Sequence, residues 1–198
     1  MSFIKICGLT TEVSVKKAIE LKVDSIGFVF SPSPRQLDPI RAKELFELIP
    51  QGIKKVAVFK SAQEEVLEKV LHHTKPDCIQ ADFDSFEGME FNSDIITLPV
   101  YRSASSPIKT DYSLILFEGS MSGVGELANW QEAKQAAKSH KTILAGGLSP
   151  DNVIEAIRYV SPWGVDVSSG VESIKGEKDL TKMEQFVINA RKAFESIK

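Results

Sequence analysis

Two residues with proton-transfer chemistry stand at the ends of apolar runs, each directly before a glycine. Cys7 precedes Gly8, and Glu118 precedes Gly119. A cysteine at a strand end, ahead of a helix, can have a lowered pKa and act as a thiolate, and a carboxyl that burial keeps protonated can act as a general acid. Each residue also has a simpler interpretation, because free cysteines often only pack and Glu118 could be a solvated loop residue.

Two glycine-containing segments near the end of the chain have the composition of a phosphate site. One contains Gly146 and Gly147, and the other contains Asp166, Ser169 and Gly170. Glycine lets backbone N–H groups approach an anion closely, and a following helix N-terminus adds its dipole. Tight turns alone would explain one such segment, but two of them at adjacent strand ends favour phosphate binding.

The remaining polar and sulfur-containing candidates are an arginine, the histidines and a second cysteine. Arg35 can hold a carboxylate through two parallel hydrogen bonds, although an exposed structural arginine is the alternative. His72 and His73 are expected at the end of a helix, and the histidines lack the spacing of metal ligands. Cys78 lies in the middle of an apolar run, so we interpret it as a core residue. We therefore predict no metal site.

The composition describes an ordinary soluble chain. Its 198 residues are 42% hydrophobic and carry a net charge of −3, which suits one domain, 1–198, and does not favour nucleic acid as a partner. The two cysteines do not form a CxxC pair, as expected for a reducing cytoplasm. No apolar stretch approaches membrane-spanning length. We expect a cytoplasmic protein with no membrane partner.

The elements that must position these residues alternate along the whole chain. Short apolar, β-branched runs predict eight strands, and longer amphipathic runs predict helices between most of them. The strands are expected at 3–7, 24–30, 53–59, 77–80, 94–100, 112–117, 142–145 and 164–167, and the helices at 11–21, 39–48, 62–72, 127–138, 150–159 and 180–197.

This alternation predicts an α/β fold, a small (β/α)8 TIM barrel, with an open doubly wound sheet as the alternative. Only about ten residues, 102–111, separate strands five and six, so helix five should be shortened or missing. The stretch 84–92 has room for a turn or two of helix. In such a barrel the active site lies at the C-terminal ends of the strands, where Cys7, Glu118 and both glycine segments are expected.

The strand-end motifs resemble those of the phosphoribosylanthranilate isomerase family over nearly the whole chain. The segments that carry the resemblance are KICGLT at 5–10, GFVF at 27–30 with SPR at 33–35, LAGGL at 144–148, NV at 152–153, GVDVSSGVE at 164–172, and Gly176 with Lys178-Asp179. Any one of these motifs would be weak evidence, but together they are specific.

The resemblance implies an Amadori rearrangement of a phosphorylated small molecule, without a metal or cofactor, in a monomer or homodimer. A general acid opens the sugar ring of N-(5-phosphoribosyl)anthranilate, and a base then removes the C2 proton. By resemblance Cys7 is the base, Glu118 the acid, and Arg35 the ligand of the anthranilate carboxylate. Asp166 would contact the substrate hydroxyls or order the site. The phosphate would be held by Gly123, Gly146, Gly147, Ser169 and Gly170.

The chain departs from the family pattern at two strand ends. Strand six ends in Glu118 where the family usually has aspartate, and one extra methylene can misplace a proton donor. The loop after it contains Gly123 and Gly125 in SGVG at 122–125, where the family has Gly-Gly-Thr-Gly. After strand four, QADF at 80–83 replaces the family's Gln-Leu-His-Gly.

These departures leave three hypotheses open. The first is an active phosphoribosylanthranilate isomerase. The second is a related isomerase or epimerase of another sugar phosphate, in which Arg35 would be dispensable. The third is a barrel that binds phosphate without catalysis, in which Glu118 would point away from the cavity.

Overall fold

The computed structural model describes residues 3–61, 64–87, 91–102, 110–120 and 125–197. Within these ranges eight parallel strands form one closed barrel, in which each strand pairs with the next and β8 pairs with β1. This closure confirms the predicted barrel and excludes the open sheet. The strands are β1 (Phe3–Cys7), β2 (Ser25–Val29), β3 (Lys54–Val58), β4 (Cys78–Asp82), β5 (Ile96–Arg102), β6 (Leu114–Glu118), β7 (Lys141–Leu144) and β8 (Gly164–Val167).

Six α-helices pack around the described part of the barrel. They are α1 (Glu12–Glu20), α2 (Pro39–Glu47), α3 (Glu64–Thr74), α4 (Trp130–Ser139), α5 (Val153–Val160) and α6 (Leu180–Ser196). Four of them begin after a side chain that accepts hydrogen bonds from the first helical N–H groups, namely those of Thr11, Asp38, Asn129 and Asp179. All six had been predicted to within a few residues. His72 and His73 lie in the last turn of α3, as expected.

The described residues after β4 form no α-helix, unlike those after β1, β2 and β3. After β4 the described chain forms a 3-10 turn, Phe83–Phe86, in agreement with the turn or two predicted there. The predicted shortening or loss of helix five concerns mainly residues 103–109, which lie outside the described residues, so it stays a prediction.

A short addition follows β8 that the sequence had not predicted. A 3-10 turn, Ser169–Val171, leads into an antiparallel hairpin of β9 (Glu172–Ile174) and β10 (Glu177–Lys178). These strands have three and two residues, which is too short for a periodic pattern to show in the sequence. The hairpin packs against the loop that follows β2. A Cβ atom added to Gly176 would lie only 3.0 Å from the carbonyl oxygen of Pro34 in that loop.

The core has an outer layer between strands and helices and an inner layer within the barrel. Alternate residues of β1 show the division: Ile4 and Ile6 face outward, whereas Lys5 and Cys7 face inward. The inner layer below the mouth is apolar and contains Val56, Cys78, Leu98, Val100, Leu116, Ile143 and Ala145. The interpretation of Cys78 as core is thus confirmed. No helix in the described ranges is both long and apolar enough to cross a membrane.

We predict that Phe186→Ala in α6 lowers the free energy of unfolding by about 3–5 kcal/mol, because it leaves a cavity in the outer core. Phe186 is 0% exposed, whereas Ile188, two residues along the same helix, is 42% exposed. Ile188→Ala is therefore the control and should change stability by no more than about 0.5 kcal/mol. Urea denaturation of both variants measures this, and equal losses would contradict the assigned packing of α6.

Candidate active site

A cavity of about 600 Å³ opens at the C-terminal end of the barrel. Most of the predicted site residues line it: Cys7, Arg35, Glu118, Gly146, Gly147, Asp166 and Ser169. They come from five strands or the loops after them, which confirms that the strand ends bring them together. A groove of about 610 Å³ lies elsewhere, beside α2 and α3, and contains lysines and histidines but none of the predicted site residues.

Cys7 ends β1 and is buried at the floor of the cavity. Burial raises the pKa of its thiol above the ordinary value, and the carboxylate of Asp166 acts in the same direction. The ammonium groups of Lys5 and Lys178 oppose this but do not outweigh burial. The expectation of a lowered pKa was therefore wrong, because a strand end inside a closed barrel is shielded from water.

Beneath Cys7 lies an ion pair that the sequence analysis missed. Lys5, 0% exposed, donates a hydrogen bond from Nζ to Oδ2 of Asp166 across 2.9 Å. Burial by itself would lower the pKa of Lys5, but Asp166 and Cys7 outweigh it, so the pKa is raised and Lys5 stays protonated. Burial also raises the pKa of Asp166, against the lowering effect of Lys5. The signal in the sequence was a lysine inside the apolar strand FIKIC.

Arg35 is 4% exposed and is held by Glu172 in a bidentate pair. Its Nε and Nη2 donate to Oε1 and Oε2 of Glu172 at 2.6 and 2.8 Å. Lys178 donates to Oε1 at 2.9 Å, and the backbone N–H of Gly176 donates to Oε2 at 3.1 Å. The alternative of an exposed structural arginine is excluded. Glu172 and Lys178 belonged to the quoted motifs, but no role had been assigned to them.

The charge balance of this cluster sets the ionisation of Glu172. Burial by itself would raise the pKa of the carboxyl, but hydrogen bonds from Arg35, Lys178 and Gly176 lower it to about 2. Burial also lowers the pKa of Lys178, and Glu172 opposes that effect. The Arg35 side chain is thus anchored at the cavity wall by an anion that stays ionised.

Glu118 ends β6, is 7% exposed and lines the cavity, so it does not point away from it. Arg102, the last residue of β5, places Nη2 at 3.5 Å from Oε2 of Glu118 and Nη1 at 2.7 Å from Oδ1 of Asp82, the last residue of β4. Sequence analysis missed Arg102 because it ended strand five at residue 100 and placed Arg102 in the loop that follows. Asp82 and Glu118, where the chain departs from the family pattern after strands four and six, therefore both contact the guanidinium of Arg102.

The glycine segments come together on one side of the mouth. Gly146 and Gly147 have φ values of +82° and +63°, which glycine adopts without strain, and a Cβ on Gly147 would lie 2.9 Å from the carbonyl oxygen of Gly125. The Oγ of Ser169 lies 3.6 Å from where a Cβ on Gly125 would be. The loops after β6, β7 and β8 thus form a concave wall of backbone and hydroxyl groups suited to an anion.

Two predicted phosphate ligands are not placed in this wall. Gly123 lies outside the described residues. Gly170 is absent from the described cavity lining and packs beside the β7 loop, where a Cβ would come within 1.8 Å of the carbonyl oxygen of Leu148. That close approach explains why residue 170 is glycine. Phosphate binding by either residue stays a prediction.

The described residues bring together a thiol, a carboxyl group, a fixed guanidinium and an anion-binding wall. They contain no group of three or more His, Cys, Asp or Glu side chains that could hold a metal ion. A base and an acid three strands apart around one cavity can move two protons on a bound molecule. The arrangement is suited to isomerising a small anionic substrate.

Comparisons with known proteins agree with this chemistry. The family described as N-(5'phosphoribosyl)anthranilate (PRA) isomerase matches residues 4–189. A curated N-(5'-phosphoribosyl)anthranilate isomerase from Streptococcus mutans is 34% identical over 97% of this chain and all of its own length. The crystal structure of TrpF from Jonesia denitrificans has a TM-score of 0.80 and 31% identity, covering 98% of each chain.

A further solved structure bears on the ligand. It is a phosphoribosyl anthranilate isomerase in complex with reduced 1-(o-carboxyphenylamino)-1-deoxyribulose 5-phosphate. It has a TM-score of 0.78 and 25% identity, covering 97% of this chain and all of the other. That protein thus holds a molecule with both a carboxyl group and a phosphate.

We predict that Glu172→Gln lowers the free energy of unfolding by about 3–5 kcal/mol at pH 7, because it leaves Arg35 and Lys178 buried without their counter-ion. The pKa of Glu172 is about 2 in the folded chain, against about 4.3 when unfolded. Its contribution is therefore complete above about pH 5 and is lost as the pH falls towards 2. Urea denaturation across this range should show the two proteins converging.

The control is Glu177→Gln, which removes an exposed carboxylate from the same hairpin. It should leave stability within about 0.5 kcal/mol of wild type at every pH. A Glu172→Gln variant as stable as this control at pH 7 would show that the cluster does not anchor the hairpin.

Proposed function

The chain belongs to the N-(5'-phosphoribosyl)anthranilate isomerase family, and on that premise we propose that Cys7 and Glu118 perform the two proton transfers of its reaction. The enzyme converts N-(5-phosphoribosyl)anthranilate to 1-(2-carboxyphenylamino)-1-deoxyribulose 5-phosphate, a step of tryptophan biosynthesis. The observation that carries the assignment is that both side chains line one cavity beside the glycine wall.

In the first step Glu118 donates its proton to the furanose ring oxygen. The C1–O bond breaks, its electron pair stays on oxygen, and the nitrogen lone pair forms a C1=N double bond. Glu118 lies at the end of β6, on the cavity wall next to the glycine segments of the β6 and β7 loops. A positioned carboxylic acid can give its proton to a departing oxygen in the transition state.

In the second step the thiolate of Cys7 removes the C2 proton. The C–H electron pair forms the C1=C2 bond, the C=N pair returns to nitrogen, and an enolamine results. C1 then takes a proton from the Cys7 thiol, the C2 hydroxyl gives one to the Glu118 carboxylate, and the product ketone forms with both side chains back in their starting states. The sum of the steps is an isomerisation, so it needs no oxidant and no cofactor.

The rest of the cavity is assigned to substrate binding. Arg35, fixed by Glu172, holds the anthranilate carboxylate, and guanidinium groups suit planar carboxylates. Gly146, Gly147 and Ser169 hold the phosphate, with Gly123 and Gly170 as further predicted ligands, and Asp166 contacts the substrate hydroxyls. Arg35, the two glycines, Ser169 and Asp166 all line the cavity, which supports these assignments.

The setting of the enzyme follows from its substrate and its thiols. We place it in the cytoplasm, where both free cysteines, Cys7 and Cys78, would stay reduced. It acts as a monomer or homodimer on a phosphorylated small molecule, with no nucleic acid or membrane partner.

We predict that Cys7→Ser lowers kcat by at least about 100-fold, because an alcohol is a far weaker base than a thiolate at neutral pH. The fluorescence decay of freshly made N-(5-phosphoribosyl)anthranilate measures the rate. Cys78→Ala is the matched control: Cys78 is a buried thiol of the inner layer and is absent from the described cavity lining, so this variant should keep its activity. Activity like that of wild type in Cys7→Ser would rule out the base.

We also predict that Glu118→Gln lowers kcat by about 100-fold or more, because an amide has no acidic proton to donate. Glu118→Asp keeps the proton but withdraws it by one methylene, so its kcat should lie between those of Glu118→Gln and wild type. The same fluorescence assay distinguishes the three proteins. If Glu118→Gln turned over as fast as wild type, another group would have to be the acid.

A further inference from the structure

Lys5 is a charged side chain in the interior of the barrel, immediately below the cavity floor. It lies two residues before Cys7 on β1, so both side chains point inward from the same face of the strand. Apart from Ser25, its register neighbour on β2, the rest of the inner layer near it is apolar. Burying an ammonium group costs several kcal/mol unless its partners compensate, so its contacts define what it does there.

Two polar groups meet this ammonium. Asp166, paired with Lys5 in the register of β1 and β8, accepts a hydrogen bond from Nζ at 2.9 Å. The second group is the thiol of Cys7, whose electrostatic interaction with Lys5 favours both the ammonium and the thiolate. A Cβ on Gly27 of β2 would lie 2.9 Å from Sγ of Cys7 and 3.2 Å from Nζ of Lys5. The absent side chain at Gly27 leaves the space in which thiol and ammonium meet.

We propose that Lys5 is a positioning residue whose ammonium holds the thiolate of Cys7 in place for proton abstraction, with Asp166 fixing the ammonium from the other side. The proposal rests on the proposed function, in which Cys7 is the base. When Cys7 is ionised, the thiolate is paired with a cation inside the barrel. When the thiolate takes the substrate C2 proton, the Lys5–Asp166 pair remains and is neutral overall.

The charged groups that face Cys7 act in opposite directions on its ionisation. Lys5 on its own strand and Lys178 on β10 favour the thiolate, whereas Asp166 on β8 and burial favour the thiol. The neighbouring residue of β2 in the register is the uncharged Gly27. Of the two cations, Lys5 has the larger effect on the thiol and lies beside it at Gly27, so its removal should have a direct effect on the thiolate.

The test measures thiol ionisation directly, through the pH dependence of iodoacetamide alkylation of Cys7 in a Cys78→Ala background. We expect Lys5→Met, which removes the charge at similar length, to shift the alkylation midpoint upward by about 1–3 pH units, the range for losing an adjacent opposite charge. The acidic limb of kcat/KM should shift in the same direction. Lys5→Arg, which keeps the charge, should keep a midpoint closer to that of the parent. A folded Lys5→Met variant with an unchanged midpoint would overturn the proposal.

If Lys5→Met does not fold, Asp166→Asn is a second test variant, and it leaves the charge of Lys5 in place. It deletes the carboxylate that opposes ionisation, so the alkylation midpoint should fall, and an unchanged midpoint would count against the proposal. Alkylation does not depend on turnover, which separates this inference from the function it rests on. If Cys7→Ser stayed active, the base assignment would fail; if Cys7→Ser were inactive but Lys5→Met unshifted, only the role of Lys5 would fail.

Discussion

The pairing of β8 with β1 closes the sheet, and the ionic contacts at the floor of the cavity lie along this seam. Register across the seam sets Lys5 beside Asp166, and the chain leaving β8 carries Glu172 to Arg35, which follows β2. An open sheet of the same strands would separate these groups and leave each charge without its counter-ion. Closure and charge compensation therefore depend on each other, because buried charges are tolerated only when they are paired.

The seam also explains why the hairpin of β9 and β10 exists. A carboxylate must reach Arg35 from β8 while Lys178 and the N–H of Gly176 approach the same carboxylate. A short hairpin turns the chain back and supplies all three groups within seven residues, 172–178. Two lysines also provide hydrogen bonds to main-chain carbonyl groups here. Lys178 donates to the carbonyl oxygen of Ser168 at 2.9 Å, and Lys182 donates to that of Glu172 at 2.8 Å.

The wall of the cavity formed by the ends of β4, β5 and β6 has a different arrangement of charges. There Arg102 lies between Asp82 and Glu118, so that one guanidinium serves the ends of β4, β5 and β6. The two departures from the family pattern, at 82 and at 118, are adjacent in space although 36 positions apart in sequence. Cys7, the proposed base, lies on the seam side, where the family motifs are kept, and Glu118, the proposed acid, lies on the divergent side. A substitution of Asp82 would therefore change the effect of a substitution of Glu118, because residues of one charged network do not act independently.

Much of this protein could be predicted from local pattern. The apolar, β-branched runs defined the eight strands, and amphipathic spacing defined the helices. The rule that barrel active sites lie at the C-terminal strand ends then selected Cys7, Glu118 and the glycine segments. The hairpin was missed because its strands are too short for periodicity. The motifs of the chain also sufficed to identify the family, since several specific segments occurred in the expected order.

What the sequence determined by itself was thus which residues end which strands, because strand and helix periodicity is a local property of the chain. Only the tertiary structure decided which of those residues are partners. Lys5 and Asp166 are 161 positions apart, and Arg35 and Glu172 are 137 apart, so no local pattern relates them. Tertiary structure also reversed the expected direction of the pKa shift of Cys7. The ionisation of a thiol depends on how much water and how many charges surround it, and that environment exists only once the barrel has closed.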